Sequence, residues 1–262
     1  MIIENLNPFG ALVKADGDKQ SITDLSTDKI LELLEKNLLV VFRGYSLVND
    51  DSYLKFARQF GPLLGWEFGE ILELKVQDDP VNHIFSRGRV ELHWDGAFIK
   101  ETPHYNLFQC VKSSNYDTGG KTLFVNTHEV LRRVKRSEQE QWKLLTIEYT
   151  TEKKAHYGGT ISQTLVEQNP YNGKNVIRYI EGFNEDNEEV NPVQISINKH
   201  VCEPTDQFIN GFTRALYSDH VMYQHRWQSG DFLIADNSSL LHGRSRFESS
   251  FPDRIIKRIN IL

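Results

Sequence analysis

Glu91-Leu92-His93-Trp94-Asp95-Gly96 decides how this chain folds, because it makes chemical sense in only one conformation. On extended chain, side chains two residues apart point to the same face, roughly 6.6 Å apart along the backbone. An imidazole at position 93 and a carboxylate at 95 can then converge on one metal ion. On a helix the two would point in nearly opposite directions. Gly96 lets the chain turn away from a crowded site. The expectation is a strand over 91–95.

The surroundings repeat that character. Short runs of strand length, punctuated by Gly, Asn, Asp and Pro, follow at residues 72–76, 105–111, 122–126, 146–150, 176–179, 193–197, 221–227, 231–235 and 254–262. Many short strands between turn signals predict a sandwich or jelly roll. Ahead of them, residues 27–37 place Ile30, Leu31, Leu33 and Leu34 on one helical face. The apolar run 38–42 reads as a buried strand, and a second helix is expected from Asn49 to Phe60, stopped by Gly61-Pro62. Two further helices are expected over 127–135 and 204–218. The fold class is therefore α+β, one domain over residues 1–262, with helices flanking a β core.

Composition narrows the function. With 262 residues the chain can bury one large core. A net charge of −6 argues against a broad nucleic-acid-binding face. Cys110 and Cys202 form neither a metal cluster nor a disulfide framework, consistent with reduced thiols in the cytoplasm. No signal peptide and no apolar stretch of membrane-spanning length is visible. The number of subunits cannot be read.

His-x-Asp alone occurs often by chance. A third ligand is offered by Leu240-Leu241-His242-Gly243-Arg244, where a core histidine bonded to backbone is an equal alternative. The last strand adds weight. Arg254, Ile256, Arg258 and Asn260 share one face, and Ile255, Ile259 and Ile261 the other. Two guanidiniums on an apolar strand are costly to bury without an anion. A ligand carboxylate could satisfy one of them by a bidentate fork. Partner Asp or Glu residues, or an edge facing water, are the alternatives.

In order, these residues resemble the taurine/2-oxoglutarate dioxygenase-like (TauD/TfdA) family of iron(II)- and 2-oxoglutarate-dependent oxygenases. The resemblance takes in Leu39-Val40-Val41-Phe42-Arg43, Phe56 to Pro62, His93-Trp94-Asp95, Gly119 to Phe124, Asp236-Asn237, Leu241 to Arg244, Arg254 and Arg258. It implies a double-stranded β-helix, a form of jelly roll. It implies that His93, Asp95 and His242 bind Fe(II) and leave positions for dioxygen and 2-oxoglutarate. Thr122 and Arg254 would hold the far carboxylate of 2-oxoglutarate, with Arg258 deeper, near an acidic group of the substrate or the cosubstrate's other end. The spacing from His242 to Arg254 is one residue longer than the family pattern, which a loop at Ser249 or Ser250 would absorb.

A narrower likeness, to the branch that oxidises tyrosine-derived isonitriles in bacterial secondary metabolism, rests on Trp66 to Gly69, His93 to Phe98, Phe108 to Cys110 and Thr151 to Gly159. It implies desaturation or hydroxylation beside the isonitrile of a small molecule, with Trp66, Phe68, His156 and Tyr157 as substrate contacts beside Arg258. Ordinary core packing is the alternative for each. A taurine-type hydroxylase is the runner-up. A zinc hydrolase or a non-catalytic jelly-roll binding module stands outside the class. Asp95 itself argues against halogenation, which in this family needs a small residue there. Residues 79–89 and 153–164 are candidate lids, the latter with Gly158-Gly159 as hinge.

Overall fold

The computed structural model describes residues 2–17, 20–114, 116–154, 157–182, 190, 192–198, 205–248 and 253–262. In chain order the elements are β1 (Ile2–Asn5), β2 (Ala11–Lys14), α1 (Thr27–Asn37), β3 (Leu39–Arg43), α2 (Asp50–Ala57), β4 (Leu72–Leu74), β5 (Val90–His93), β6 (Tyr105–Lys112), β7 (Thr122–Asn126), α3 (Thr127–Arg133), α4 (Arg136–Lys143), β8 (Thr146–Lys154), β9 (Tyr157–Thr164), β10 (Val166–Gln168), β11 (Asn175–Ile177), β12 (Gln194–Asn198), α5 (Thr205–Leu216), β13 (Met222–His225), β14 (Phe232–Asp236), β15 (Leu240–Arg244) and β16 (Ile255–Ile261). The architecture is mixed helix and sheet, mostly sheet.

Two sheets carry the site. One has seven strands in the order β1-β2-β3-β14-β6-β16-β4; the other has four, β13-β7-β15-β5. Only β2 and β3 run parallel in the large sheet. The side-chain alternation of each strand sorts its residues between two cores. Leu39 and Val41 of β3, Leu233 and Ala235 of β14, Phe124 of β7, Leu240 of β15 and Ile256 of β16 meet in one apolar cluster, so the two sheets pack face to face. On the outer side of the large sheet, Val40, Phe42, Phe232, Ile234, Ile259 and Ile261 pack under Ile30 and Leu34 of α1 and Tyr53 and Phe56 of α2. On the outer side of the small sheet, Leu92, Leu123, Val125 and Leu241 join Trp142 of α4, Phe208 and Phe212 of α5, and Ile147 and Tyr149 of β8.

Parity then fixes the polar residues. Leu92 and Leu241 face outward, so His93 and His242 face the space between the sheets.

Several boundaries differ from expectation for local reasons. α2 stops at Ala57 because Gln59 N–H and Phe60 N–H bond the carbonyls three residues back, Phe56 and Ala57, tightening the last turn before Gly61. α4 escapes a hydrophobic-pattern reading because Trp142 is its one buried residue. Residues 157–164 form β9, paired antiparallel with β8, so this candidate lid is the second strand of a hairpin. Among the described residues no helix is long and apolar enough to cross a membrane.

Candidate metal centre

β5 and β15 are antiparallel neighbours, and His242 is the direct cross-strand partner of His93. Their rings lie 4.3 Å apart. Asp95 completes the group: its Oδ1 is 3.7 Å from His93 Nε2 and its Oδ2 is 3.7 Å from His242 Nε2. The expected strand over 91–95 is shorter than its pattern, ending at His93 and leaving Asp95 in the turn that follows. The Asn237 side chain explains this. Its Oδ1 accepts from Asp95 N–H at 2.8 Å, and its Nδ2 donates to the Asp95 and Pro103 carbonyls at 3.1 and 2.8 Å. These bonds replace sheet partners and hold the turn. Gly96 follows at φ +91°, and a Cβ there would lie 2.7 Å from Pro103 Cδ. Asp95 is thus delivered to the histidines by a pinned turn instead of by strand alternation.

The donor set fits a divalent metal. His93 Nδ1 donates to the Glu91 carbonyl at 2.7 Å, which places its ring proton there and leaves the Nε2 lone pair toward Asp95. His242 Nε2 is buried with no hydrogen-bond partner among the described residues. Burial first, then the neighbouring His93, pushes the His242 imidazole down to about 3, so it is a neutral ligand. Burial opposes ionisation of Asp95, but Arg258 and then His242 and His93 more than offset it, holding the carboxyl well below its usual range. A separation of 3.7 Å is too long for a hydrogen bond. It suits ligands sharing one ion with bonds of roughly 2 Å. His93, Asp95 and His242 are a two-histidine, one-carboxylate set of the kind that suits ferrous iron with open positions.

β16 supplies the orienting groups. Arg258 Nη1 donates to Asp95 Oδ1 at 3.1 Å and lies 3.0 Å from Oδ2, and Asn260 Nδ2 donates to Oδ2 at 3.0 Å. Asn260 Oδ1 accepts from Trp66 Nε1 at 3.2 Å, so Trp66 is tied to the same carboxylate. Trp66 and Phe68 stack at 6.0 Å. Both line a cavity of about 540 Å³ whose wall also includes His93, Asp95, Phe98 and Arg258. Val81 to Phe85, inside the other candidate lid, line it as well. Of the expected substrate contacts, Trp66, Phe68 and Arg258 therefore meet at one cavity. His156 lies outside the described residues, and of Tyr157 only the backbone, in β9, is described.

Arg254 sits apart from Arg258. It is buried, and Nη1 donates to the Gly120 carbonyl while Nε has no partner among the described residues. Its guanidinium lies 4.6 Å over the Phe247 ring. Burial lowers its pKa to about 10. The Phe247 ring can approach because residue 120 is glycine at φ +65°: a Cβ there would fall 2.2 Å from Phe247 Cε1. Arg254 and Trp227 border a second, much smaller cavity, and Trp227 Nε1 donates to Thr122 Oγ1 at 2.8 Å. Thr122 is thus bonded to an indole that lines the same small cavity as Arg254. The loop at Ser249 and Ser250, proposed to absorb the extra residue, lies outside the described residues.

Comparison with known proteins agrees with this geometry. The chain is 38% identical over 260 residues to 3-((Z)-2-isocyanoethenyl)-1H-indole synthase of Fischerella ambigua, covering 99% of this chain and 95% of the relative. It is 31% identical over 255 residues to tyrosine isonitrile desaturase of Pseudomonas aeruginosa, covering 97% and 87%. The crystal structure of PvcB from Pseudomonas aeruginosa superposes with a TM-score of 0.82 at 27% identity, covering 98% of this chain and 87% of that one. Residues 3–260 match the family described as taurine catabolism dioxygenase TauD, TfdA, and with the His-Asp-His set in place the chain belongs to that dioxygenase family.

Proposed function

We propose that this protein is an iron(II)- and 2-oxoglutarate-dependent dioxygenase that desaturates a small isonitrile derived from an aromatic amino acid, tyrosine or tryptophan. The observation that carries the reading is that the His93-Asp95-His242 set borders, through His93 and Asp95, an aromatic-walled cavity of about 540 Å³, large enough for one such molecule. The whole chain is read as one catalytic domain, its two facing sheets as a double-stranded β-helix, working in the cytoplasm on a small molecule.

The overall reaction balances as loss of two hydrogens from the substrate, with 2-oxoglutarate and dioxygen converted to succinate, carbon dioxide and water. Iron, when bound, supplies the activation of dioxygen and the cleavage of the substrate C–H bond. The protein supplies position. His93 offers its Nε2 and His242 a neutral imidazole, and Asp95 an anionic oxygen kept in place by Arg258, Asn260 and the Asn237 clamp. Arg254 and Thr122 are the seat for the far carboxylate of 2-oxoglutarate. Trp66, Phe68 and Phe98 wall the substrate ring. The Fischerella product name describes an isocyanoethenyl group with no carboxylate, so desaturation coupled to decarboxylation is one outcome to score.

The test has two steps. Anaerobic iron(II) and 2-oxoglutarate should together give a weak visible absorption band. Succinate release should then rise with tyrosine- or tryptophan-derived isonitrile and stay at background with taurine or free amino acids. Release driven by taurine instead would move the assignment to a sulfonate hydroxylase.

A further inference from the structure

Among the described residues, Trp66 is the one Trp or Phe side chain of the cavity wall that carries a hydrogen bond. A phenylalanine ring is held only by packing and can slide on its neighbours. An indole whose N–H has found an acceptor is held at a fixed point. Where that point lies decides what the wall does.

We propose that Trp66 is a positioning residue: its indole, tied through Asn260 to Asp95, sets how far the substrate's aromatic ring sits from the metal. This rests on the aryl-isonitrile reading and deepens it.

Three observations support the assignment. The first is the shortness of the tie. Trp66 Nε1 donates to Asn260 Oδ1 at 3.2 Å, and Asn260 Nδ2 donates to Asp95 Oδ2 at 3.0 Å. One amide therefore spans the gap between the wall and a metal ligand. The second is that this amide has no freedom. An indole N–H only donates, so it faces the amide oxygen, which turns Nδ2 toward Asp95 and toward Asn106 Oδ1 at 2.7 Å. Asn260 is 1% exposed, and both polar atoms of its side chain are engaged. The third is that the backbone around Trp66 is laced to the same place. Leu64 N–H donates to the Asn260 carbonyl at 2.9 Å, and Leu262 N–H to the Pro62 carbonyl at 2.8 Å. Trp66 and Gly69 exchange two backbone bonds of 3.0 Å, closing a tight turn whose Phe68 ring stacks on the indole. Wall and carboxylate thus hang from one residue of β16. Trp66 is partly exposed and lines the cavity, so a substrate ring can lie against it and take its register from it. A displacement of about 1 Å costs about a hundredfold in rate, so the tie acts on chemistry more than on affinity.

The experiment is Trp66→Phe, which keeps an aromatic face in the wall and removes the tie. Three quantities are read. Calorimetry without oxygen gives the affinity of the manganese(II) protein for the metal and for a ring-fluorinated, tyrosine-derived isonitrile. Paramagnetic relaxation of the bound fluorine by manganese gives the distance from metal to ring. Succinate release with iron(II) gives kcat. Metal and substrate affinities should stay within about threefold of wild type, the distance should change by about 1 Å, and kcat should fall tenfold or more. A distance that does not change overturns the proposal whatever happens to kcat, because the ring's register then owes nothing to the tie. A changed distance with kcat within about twofold of wild type overturns it equally. Manganese affinity lost beyond threefold would show Trp66 acting on the hold of Asp95 on the metal and not on the ring, which also overturns it. Each of these outcomes, in a wild type that oxidises the isonitrile, leaves the aryl-isonitrile reading standing. A wild type that neither binds nor oxidises the tyrosine- or tryptophan-derived isonitrile overturns that reading, and the proposal with it.

Discussion

Arg244 and Arg254 flank one phenylalanine and are used in opposite ways. Their guanidiniums lie 5.0 and 4.6 Å over the Phe247 ring, and both are buried. Arg244 is occupied: three backbone carbonyls of residues 84–88 accept from it. Arg254 has one carbonyl acceptor among the described residues, that of Gly120. The contrast separates a structural arginine from one that awaits a ligand. Both leave Nε unpartnered among the described residues, so the difference lies at the Nη groups: three carbonyls accept from Arg244 and one from Arg254, and the guanidinium with fewer acceptors has donors to spare for an anion.

The sharpest way to break this comparison is to remove each charge in turn. Arg244→Met strips donors from three carbonyls and unpins the 84–88 segment. It should cost at least roughly 3 kcal/mol of stability, since three buried acceptors are left unmet at about 1–3 kcal/mol each. The measurement is the denaturant midpoint of the metal-free protein, and a loss below about 1 kcal/mol would mean that Arg244 is not the clamp described. Arg254→Met should do the reverse. Metal-free stability should hold or rise, because an under-partnered buried charge is removed. The 2-oxoglutarate requirement should climb about a hundredfold, the scale for losing a buried charge-assisted pair. Iron should still bind. An unchanged 2-oxoglutarate requirement would remove Arg254 from the cosubstrate seat.

Gly120→Ala sharpens the comparison through the shared ring. The added methyl would drive into Phe247 at a φ that disfavours any side chain. The ring is pushed off Arg254, so the 2-oxoglutarate requirement should rise about tenfold with a stability loss of roughly 1–3 kcal/mol. A pure stability loss with cosubstrate binding intact would show that the ring does not orient the guanidinium.

Much of this was legible in the sequence, and the parts that were not share a physical cause. The strand at 122–126, the helix at 27–37 and the clustering of His93, Asp95 and His242 could be read because period-two and period-3.6 patterns, or ligand-type side chains, announce them. Arg258 and Asn260 share a face as read, but Arg254 precedes β16 and a register irregularity falls between Ile255 and Ile256, so strand alternation does not carry across to it, and the different fates of the two arginines were invisible. Arg258 is paired with Asp95, 163 positions away in sequence, and no local pattern encodes that contact. Asn237 and Asn260 were unrecognised as Asp95's clamps for the same reason. The alternation that groups Asn260 with Arg258 was the available hint. Arg244 looked like one more polar residue after His242, because its partners are backbone carbonyls, which any sequence supplies. β9 was hidden by its two glycines and its polar side chains; pairing with β8, not its own hydrophobicity, makes it a strand.

The smallest effect tests how far Arg244 reaches. His83 rides on the segment that Arg244 pins. Its imidazole is pushed down from 6.5 to about 3, by burial first and then by the nearby charges of His93 and Arg244. Between those two values the unfolded chain binds a proton that the folded one does not. Stability therefore rises with pH across this window and is lost progressively as pH falls from about 6.5 toward 3. One such group contributes a slope of up to about 1.4 kcal/mol per pH unit. His83→Phe removes the titrating group, so the metal-free variant should show a shallower loss of unfolding free energy between pH 6 and pH 4 by about that amount. Because burial is the larger cause, Arg244→Lys, which keeps a charge while weakening the clamp, should flatten the slope only if the 84–88 segment opens and lets water reach the imidazole. A slope that survives Arg244→Lys would mean that His83 is held by the cavity wall itself, and that Arg244's grip ends at the three carbonyls.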